Sequence, residues 1–346
     1  MTITLSVDAM GGDHGVKVTV PAVIEALKSF NDLHVILVGN ESQIREQLEL
    51  ANFKSSALTI EHAEQVVTMD DLPSFALRNK KQSSMRIALN LVKENKAQAC
   101  VSAGNTGALM ATAKFVLKTL PGIDRPAICT SMPTINGHVH MLDLGANVGA
   151  DGESLAQFAI MGSVLVRAID NNPNPTVGLL NIGQEEMKGH DRIKLAQEIL
   201  RQSSINYAGF VEGDDIFKGT VDVVACDGFD GNIALKSSEG VAKMISFYLK
   251  QAFKRNILTK IVGLLSMPVL KSFKEKVDPR RYNGASFLGL QKIVIKSHGG
   301  ADSFAYFHAI KQARLEVIND VPARIQAEVA TLLAPKAATS VNTSEI

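Results

Sequence analysis

Ile3, Leu5 and Val7 are spaced two apart, as on the inward face of a strand. The period then changes, and Val20, Val23, Ile24, Leu27 and Phe30 fall on one helical face. His34 to Gly39 (HVILVG) reads as a buried strand, and Asn40 with Gln43 supplies a capping-box start for a helix through Leu50. The alternation continues with strands near Ala99–Ser102, Ala127–Met132, Val139–Asp143, Thr176–Leu180 and Val221–Cys226. Helical patterns follow at Ala108–Lys118, Ser154–Asp170, Arg192–Gln202 and Glu239–Lys254. Repeated strand–helix units with continuous apolar strands imply a mainly parallel sheet covered on both faces. The pair 127–132 and 139–143, joined by Pro133 to Gly137, reads instead as a hairpin, so a mixed sheet is expected. No linker, internal repeat or composition shift precedes residue 334. One large three-layer α/β/α unit over 1–333 is therefore expected, with a small polar tail, 334–346, expected to be disordered.

Charge narrows the range of partners. Thirty-six Lys and Arg against 35 Asp and Glu leave a net charge of +1, which argues against a nucleic-acid-binding surface. Aromatics at 5% and the absence of Trp also argue against base-stacking platforms. Cys100, Cys129 and Cys226 lie in or beside apolar runs with no CxxC pair, so buried reduced thiols are expected. The first residues enter a strand without a basic leader or cleavage site, and no apolar stretch reaches the roughly 20 residues of a membrane span. A cytoplasmic protein is the expectation.

Most Gly-rich segments directly follow a predicted strand: 8–15 (DAMGGDHG), 102–107 (SAGNTG), 143–147 (DLGAN), 181–183 (NIG), 227–232 (DGFDGN) and 298–300 (HGG). Loops at the carboxyl ends of parallel strands converge on one crevice. Glycines there let backbone N–H groups approach an oxyanion, and the following helix points its positive end at it. Six such loops imply a phosphate or other polyanion site. No GxxxxGK[ST], GxGxxG after the first strand, GxSxG or HExxH occurs, so neither a nucleotide cassette nor a serine-hydrolase nucleophile is at hand.

Several polar residues carry two readings. Asp8 and Asp227 either orient other groups or cap turns; Ser102 and Thr106 either donate to phosphate or cap a helix. Lys188 and Lys236 follow Gly-rich loops and either neutralise phosphate or remain surface lysines. His14 and His298 stand out only by lying in such loops. Asp143, Asp227 and Asp230 have no diagnostic metal spacing, so no metal and no cofactor is expected.

A separate feature lies at 257–273 (ILTKIVGLLSMPVLKSF). The helical step gathers Ile257, Leu258, Ile261, Val262, Leu264 and Leu265 in one arc of roughly 160°. Between Lys250 and Arg281, nine basic residues (among them Lys254, Arg255 and Lys260) oppose two acidic ones, a local net of +7. An amphipathic helical hairpin at about 253–276, broken at Pro268, suits an anionic membrane surface or an acidic partner; the other reading is a dimerisation arm.

VDAMGGDHG at 7–15, SAGNTGALM at 102–110, LDLGANV at 142–148, NIG at 181–183, DGFDGN at 227–232 and VIKSHGGAD at 294–302 together resemble the bacterial phosphate acyltransferases, in order along residues 1–333. One departure is Asn283 in YNGA, where that family leads one to expect Gly. The resemblance implies a Rossmann-like α/β fold similar to phosphotransacetylases and isocitrate-dehydrogenase-like proteins. It implies transfer of a long-chain fatty acyl group from acyl carrier protein to inorganic phosphate for phospholipid synthesis. It further implies a homodimer held peripherally at the inner face of the cell membrane, supplying a membrane glycerol-3-phosphate acyltransferase.

For such a reaction Asn232, Lys188, Lys236, Asp227 and Asp8 are the expected catalytic set. Gly11, Gly12, His14, Ser102, Gly104, Asn105, Thr106, Asp143, Asn147, Gly183, Gly228 and His298 are expected to bind phosphate and substrate. Ile257, Leu258, Ile261, Val262, Leu265, Lys254, Arg255 and Lys260 are expected to meet membrane or carrier.

Overall fold

The computed structural model describes residues 2–333. Its elements are β1 Ile3–Asp8, α1 Val16–Ser29, β2 Leu33–Gly39, α2 Glu41–Leu50, β3 Leu58–His62, α3 Pro73–Asn79, α4 Ser84–Lys93, β4 Ala99–Ser102 and α5 Thr106–Leu117. They continue with β5 Ala127–Thr134, β6 Gly137–Leu142, α6 Gly152–Ile169, β7 Thr176–Leu180, α7 Asp191–Arg201, β8 Asn206–Val211, α8 Asp215–Lys218 and β9 Val223–Ala225. Then come α9 Gly228–Lys254, α10 Ile257–Leu265, α11 Met267–Val277, β10 Ala285–Leu288, β11 Ile293–Lys296, α12 Ser303–Ile318 and α13 Val321–Leu333. The expected disordered tail lies outside the described residues.

The strands form one 11-stranded sheet in the order β3-β2-β1-β4-β11-β10-β5-β6-β9-β7-β8. One face carries α4, α5 and the start of α9 over Cys100, Met141, Val224 and Val294. The other face carries two clusters, α1 with α12 over β1 and β2, and α6 with α7 and α13 over β6, β7 and β9. The mixed three-layer architecture follows the sequence reading.

Sheet direction departs from that reading in a way that shapes the site. β3, β2, β1, β4 and β11 are parallel, and β6, β9, β7 and β8 are parallel. β10 is antiparallel to β11 and β5, and β5 is antiparallel to β6, so the two blocks point in opposite directions. The six Gly-rich loops therefore divide into two groups of three instead of lining one edge. Register keeps the groups close. Lys296 pairs with Ser102 on one side and Ala285 on the other, and Ser286 pairs with Cys129, which pairs with Leu142. Lys296 is thus level with Met141, and Asp143 lies two residues on, about 7 Å along the strands. Three strand spacings, roughly 14 Å, separate them across the sheet. The blocks are slipped by nearly a strand length, so both sets of carboxyl ends sit near mid-sheet.

Local chemistry sets three boundaries that periodicity missed. α9 begins at Gly228, not Glu239, because the Asp227 carboxylate accepts from Phe229 N at 2.9 Å and caps it. The 227–232 stretch is therefore a helix start rather than a loop. Pro133 and Thr134 belong to β5 and pair with His138 and Gly137, which shortens the hairpin turn. The arm breaks at Ser266, two residues before Pro268, which sits in the first turn of α11 where its missing N–H costs nothing.

Candidate active site

The first group of loops follows β1, β4 and β11. Ser102 Oγ donates to Asp8 Oδ2 at 2.7 Å and accepts from Gly104 N at 3.1 Å. Both side chains are buried, so they shape the loop and do not face substrate. Burial pushes the Asp8 carboxyl up, while hydrogen bonds from Ser84, Ser102, Met10 and Gly11 hold it down. A Cβ on Gly11 would stand 2.7 Å from Asp8 Oδ2 and 2.8 Å from Gly104 N, so only glycine fits there. The loops lock together through Asp13 N to Gly299 O and Ser297 N to Ser102 O, each at 2.9 Å.

Asn105 caps α5 by accepting from Ala108 N at 3.0 Å, and its amide donates to Met69 O and Asp71 O. Its side chain is therefore committed, and backbone N–H groups at Thr106 and Gly107 are what α5 offers an anion. Thr106 and His14 are exposed.

Lys296, which the sequence reading overlooked, lies at the centre of this group. Its side chain is only 7% exposed, and Nζ donates to Ala103 O at 3.2 Å and to Ser297 O. Burial pushes its pKa down to about 8, opposed by Asp13 and Asp8 and assisted by the nearby Lys236 cation. Burial also lowers His298, whose Nδ1 accepts from Gly300 N at 3.1 Å, leaving the proton of the neutral ring on Nε2. Lys236, Lys243 and Glu239 of α9 lie within electrostatic reach of His298. Asn283 has φ −70° and needs no glycine; it accepts from His298 N and donates to Ser297 Oγ, bracing the loop.

The second group follows β6, β9 and β7. Asp143, fully buried, accepts from the backbone of Ile128, Leu144, Ala146 and Asn147 and from the Asn147 amide. Asp227 caps α9 with one oxygen; the other accepts from Ala150 N at 2.7 Å and pairs with Arg192 at 3.1 Å. With their oxygens so occupied, neither carboxylate is placed for metal ligation or proton transfer. Both position Gly145, Gly228 and the first turn of α9. A Cβ on Gly228 would meet Asn147 O and Asp143 Oδ2, so the turn closes only on glycine.

Asn232, just beyond that turn, is exposed, lies against Gly145, and its amide makes no hydrogen bond among the described residues. Lys188 pairs with Glu185 at 2.8 Å, and its stem occupies the space a Gly183 side chain would fill. That loop leads into α7, whose Arg192 holds Asp227. Lys236, 59% exposed, stands one helical turn beyond Asn232 and only 3.6 Å from Glu239. α9 thus links the groups.

Residues 3–324 match the family model described as fatty acid synthesis protein. A phosphate acyltransferase of Hydrogenovibrio crunogenus is 70% identical over 334 residues, 96% of this chain and 99% of that protein. The chain belongs to the phosphate acyltransferase family. A phosphate acyltransferase of Nitrosococcus oceani is 58% identical, covering 95% of this chain and 97% of its own length. The chain is accordingly an acyltransferase. Its fold is shared with a phosphotransacetylase from Streptococcus pyogenes (TM-score 0.62, 18% identity, 92% of this chain and 94% of that one). The EutD phosphotransacetylase from Staphylococcus aureus is similar (TM-score 0.60, 14% identity, 91% and 94%).

Proposed function

We propose that this acyltransferase moves a long-chain fatty acyl group from an acyl-carrier-protein thioester to inorganic phosphate by direct attack. The observation that carries the proposal is the buried Lys296 ammonium among three Gly-rich loops, with Lys236 of α9 within electrostatic reach of it. A phosphate oxygen bonds to the thioester carbon, the C–S bond breaks, and the carrier leaves as a thiolate that solvent protonates. Phosphate is already anionic near neutrality, and a thiol of pKa about 8.5 leaves readily, so a strong general acid is not required. The barrier lies in bringing an anion to an electrophile and stabilising a second negative oxygen.

Lys296, Lys236 and Lys188 supply positive charge, the backbone N–H groups of Gly12, Thr106 and Gly107 hold phosphate, and Asn232 donates to the oxyanion. A covalent acyl-enzyme is disfavoured because Cys100, Cys129 and Cys226 are buried with thiol pKa values raised by that burial. The test is thiol release from palmitoyl-carrier protein with and without phosphate. Phosphate-dependent release with a hydroxylamine-sensitive acyl phosphate is expected; phosphate-independent release would sink direct transfer.

The arm supports a peripheral membrane and carrier role. Asn256 and Thr259 form a capping box at the start of α10. Gly263 lets α10 fold close against Phe253 of α9. Ile257, Leu258, Ile261, Val262, Leu264 and Leu265 remain 48–79% exposed beside Lys254, Arg255 and Lys260. No helix among the described residues is long and apolar enough to cross a membrane. The double variant Leu258→Glu/Val262→Glu should lose sedimentation with anionic vesicles while keeping its oligomeric state. Retained vesicle binding with loss of the dimer would assign the arm to dimerisation. Val241, Met244, Ile245 and Phe247, exposed along α9, give the proposed homodimer an apolar face of its own.

A further inference from the structure

The α6 and α12 side of the sheet carries a second concentration of chemistry. His138 and His140 alternate along β6, so both imidazoles leave the same face. They meet one carboxylate oxygen: His138 Nε2 is 2.9 Å and His140 Nε2 2.7 Å from Asp170 Oδ2. Asp170 is the C-cap of α6, the negative end of the helix dipole, where a carboxylate is disfavoured unless a cation joins it. His140 Nδ1 lies 3.2 Å from Ser131 Oγ on the adjacent strand. The hydroxyl can accept from Nδ1–H, and in that tautomer the Nε2 lone pair is free, the arrangement that outer-shell partners give metal-bound histidines. A cavity of about 210 Å³ opens beside the three groups, its lining also including Arg281, His308 and Lys311.

We propose that His138, His140 and Asp170 form a binding site for a divalent transition-metal ion of the zinc class. Their ligand atoms lie within 4.8 Å of one another, close enough to surround one ion at the usual Zn–N and Zn–O lengths of about 2.0–2.2 Å. Two imidazoles and one carboxylate favour such an ion over Mg²⁺ or Ca²⁺, which select oxygen ligands. The remaining coordination position faces the cavity, and its basic wall favours hydroxide or another small anion there. This site is separate from the acyl-transfer loops, so its failure would leave that reading untouched.

The full-length protein, stripped with a chelator and titrated with Co²⁺ alone, tests the proposal. One Co²⁺ per chain is expected, with the intense visible absorption of a four- or five-coordinate centre, displaced by Zn²⁺. His140→Ala and Asp170→Asn should abolish the band. Ser131→Ala should weaken binding about tenfold. His138→Gln is a milder second variant should His140→Ala fail to fold. Absence of the band in wild-type protein, or its survival in the folded ligand variants, would overturn the site and leave the histidines as partners of Asp170 only.

Discussion

Lys296→Met should raise KM for phosphate at least about tenfold and cut kcat/KM by about a hundredfold, with little net change in stability. Burial lowers the folded-state pKa of Lys296 from 10.5 to about 8. That difference corresponds to about 3 kcal/mol of disfavoured charge at neutral pH. The sign follows from proton counting. Between about pH 8 and 10.5 the unfolded chain binds more protons, so stability is lowest below that window and rises as pH climbs through it. Methionine removes the penalty but leaves the Ala103 and Ser297 carbonyls without their donor, a loss of about 1–3 kcal/mol each. The two effects largely offset. In the proposed mechanism a bound anion offsets the cost of this cation. Phosphate should therefore raise the melting temperature of the wild type more than that of the variant. Thermal melts with and without phosphate, run beside steady-state kinetics, check both halves. Unchanged phosphate affinity in the variant would remove Lys296 from the site.

Much of the architecture was legible because its long elements carry clean periods. Leu5 and Val7, the HVILVG run and the helix capped by Asn40 each specify their structure locally. β10 and β11, four residues each, are too short to carry a period, yet they turn the sheet around and set its slip. Direction and register depend on long-range pairing, which no local window contains. The same limit applies at the site. The Gly-rich loops gave the local signal for the proposed site, since glycine is needed where backbone approaches backbone, as at Gly11 and Gly228. The roles of polar neighbours depended on which atoms were already bonded. Ser102, Asn105, Asp143 and Asp227 proved to be committed inside the protein, while Asn232 kept its amide free. Lys296 gave one local signal, a lysine ending the apolar Ile293–Val294–Ile295 run just before His298-Gly299-Gly300. Its burial was decided by Ala103 and Ser297 folding over it.

Asn232→Ala should lower kcat about a hundredfold and leave KM for phosphate near the wild-type value. An oxyanion donor acts on charge that develops only in the transition state, and losing one costs on the order of 3 kcal/mol. Lys296, by contrast, meets phosphate in the ground state, so the two variants should divide the kinetic defect between kcat and KM. The fold gives no reason for Asn232→Ala to destabilise. The side chain is exposed, makes no hydrogen bond among the described residues, and sits in a helix whose cap, Asp227, is untouched. Alanine is also the better helix former by a few tenths of a kcal/mol. Asn232→Asp should be worse than alanine, because it sets a negative charge against the developing oxyanion while nearly preserving shape. Full kinetic profiles of both variants, with circular dichroism to confirm folding, decide the matter. If both turn over at near wild-type rates, Asn232 is not the oxyanion donor, and the backbone N–H of Asp230, the one in the first turn of α9 with no partner among the described residues, becomes the candidate.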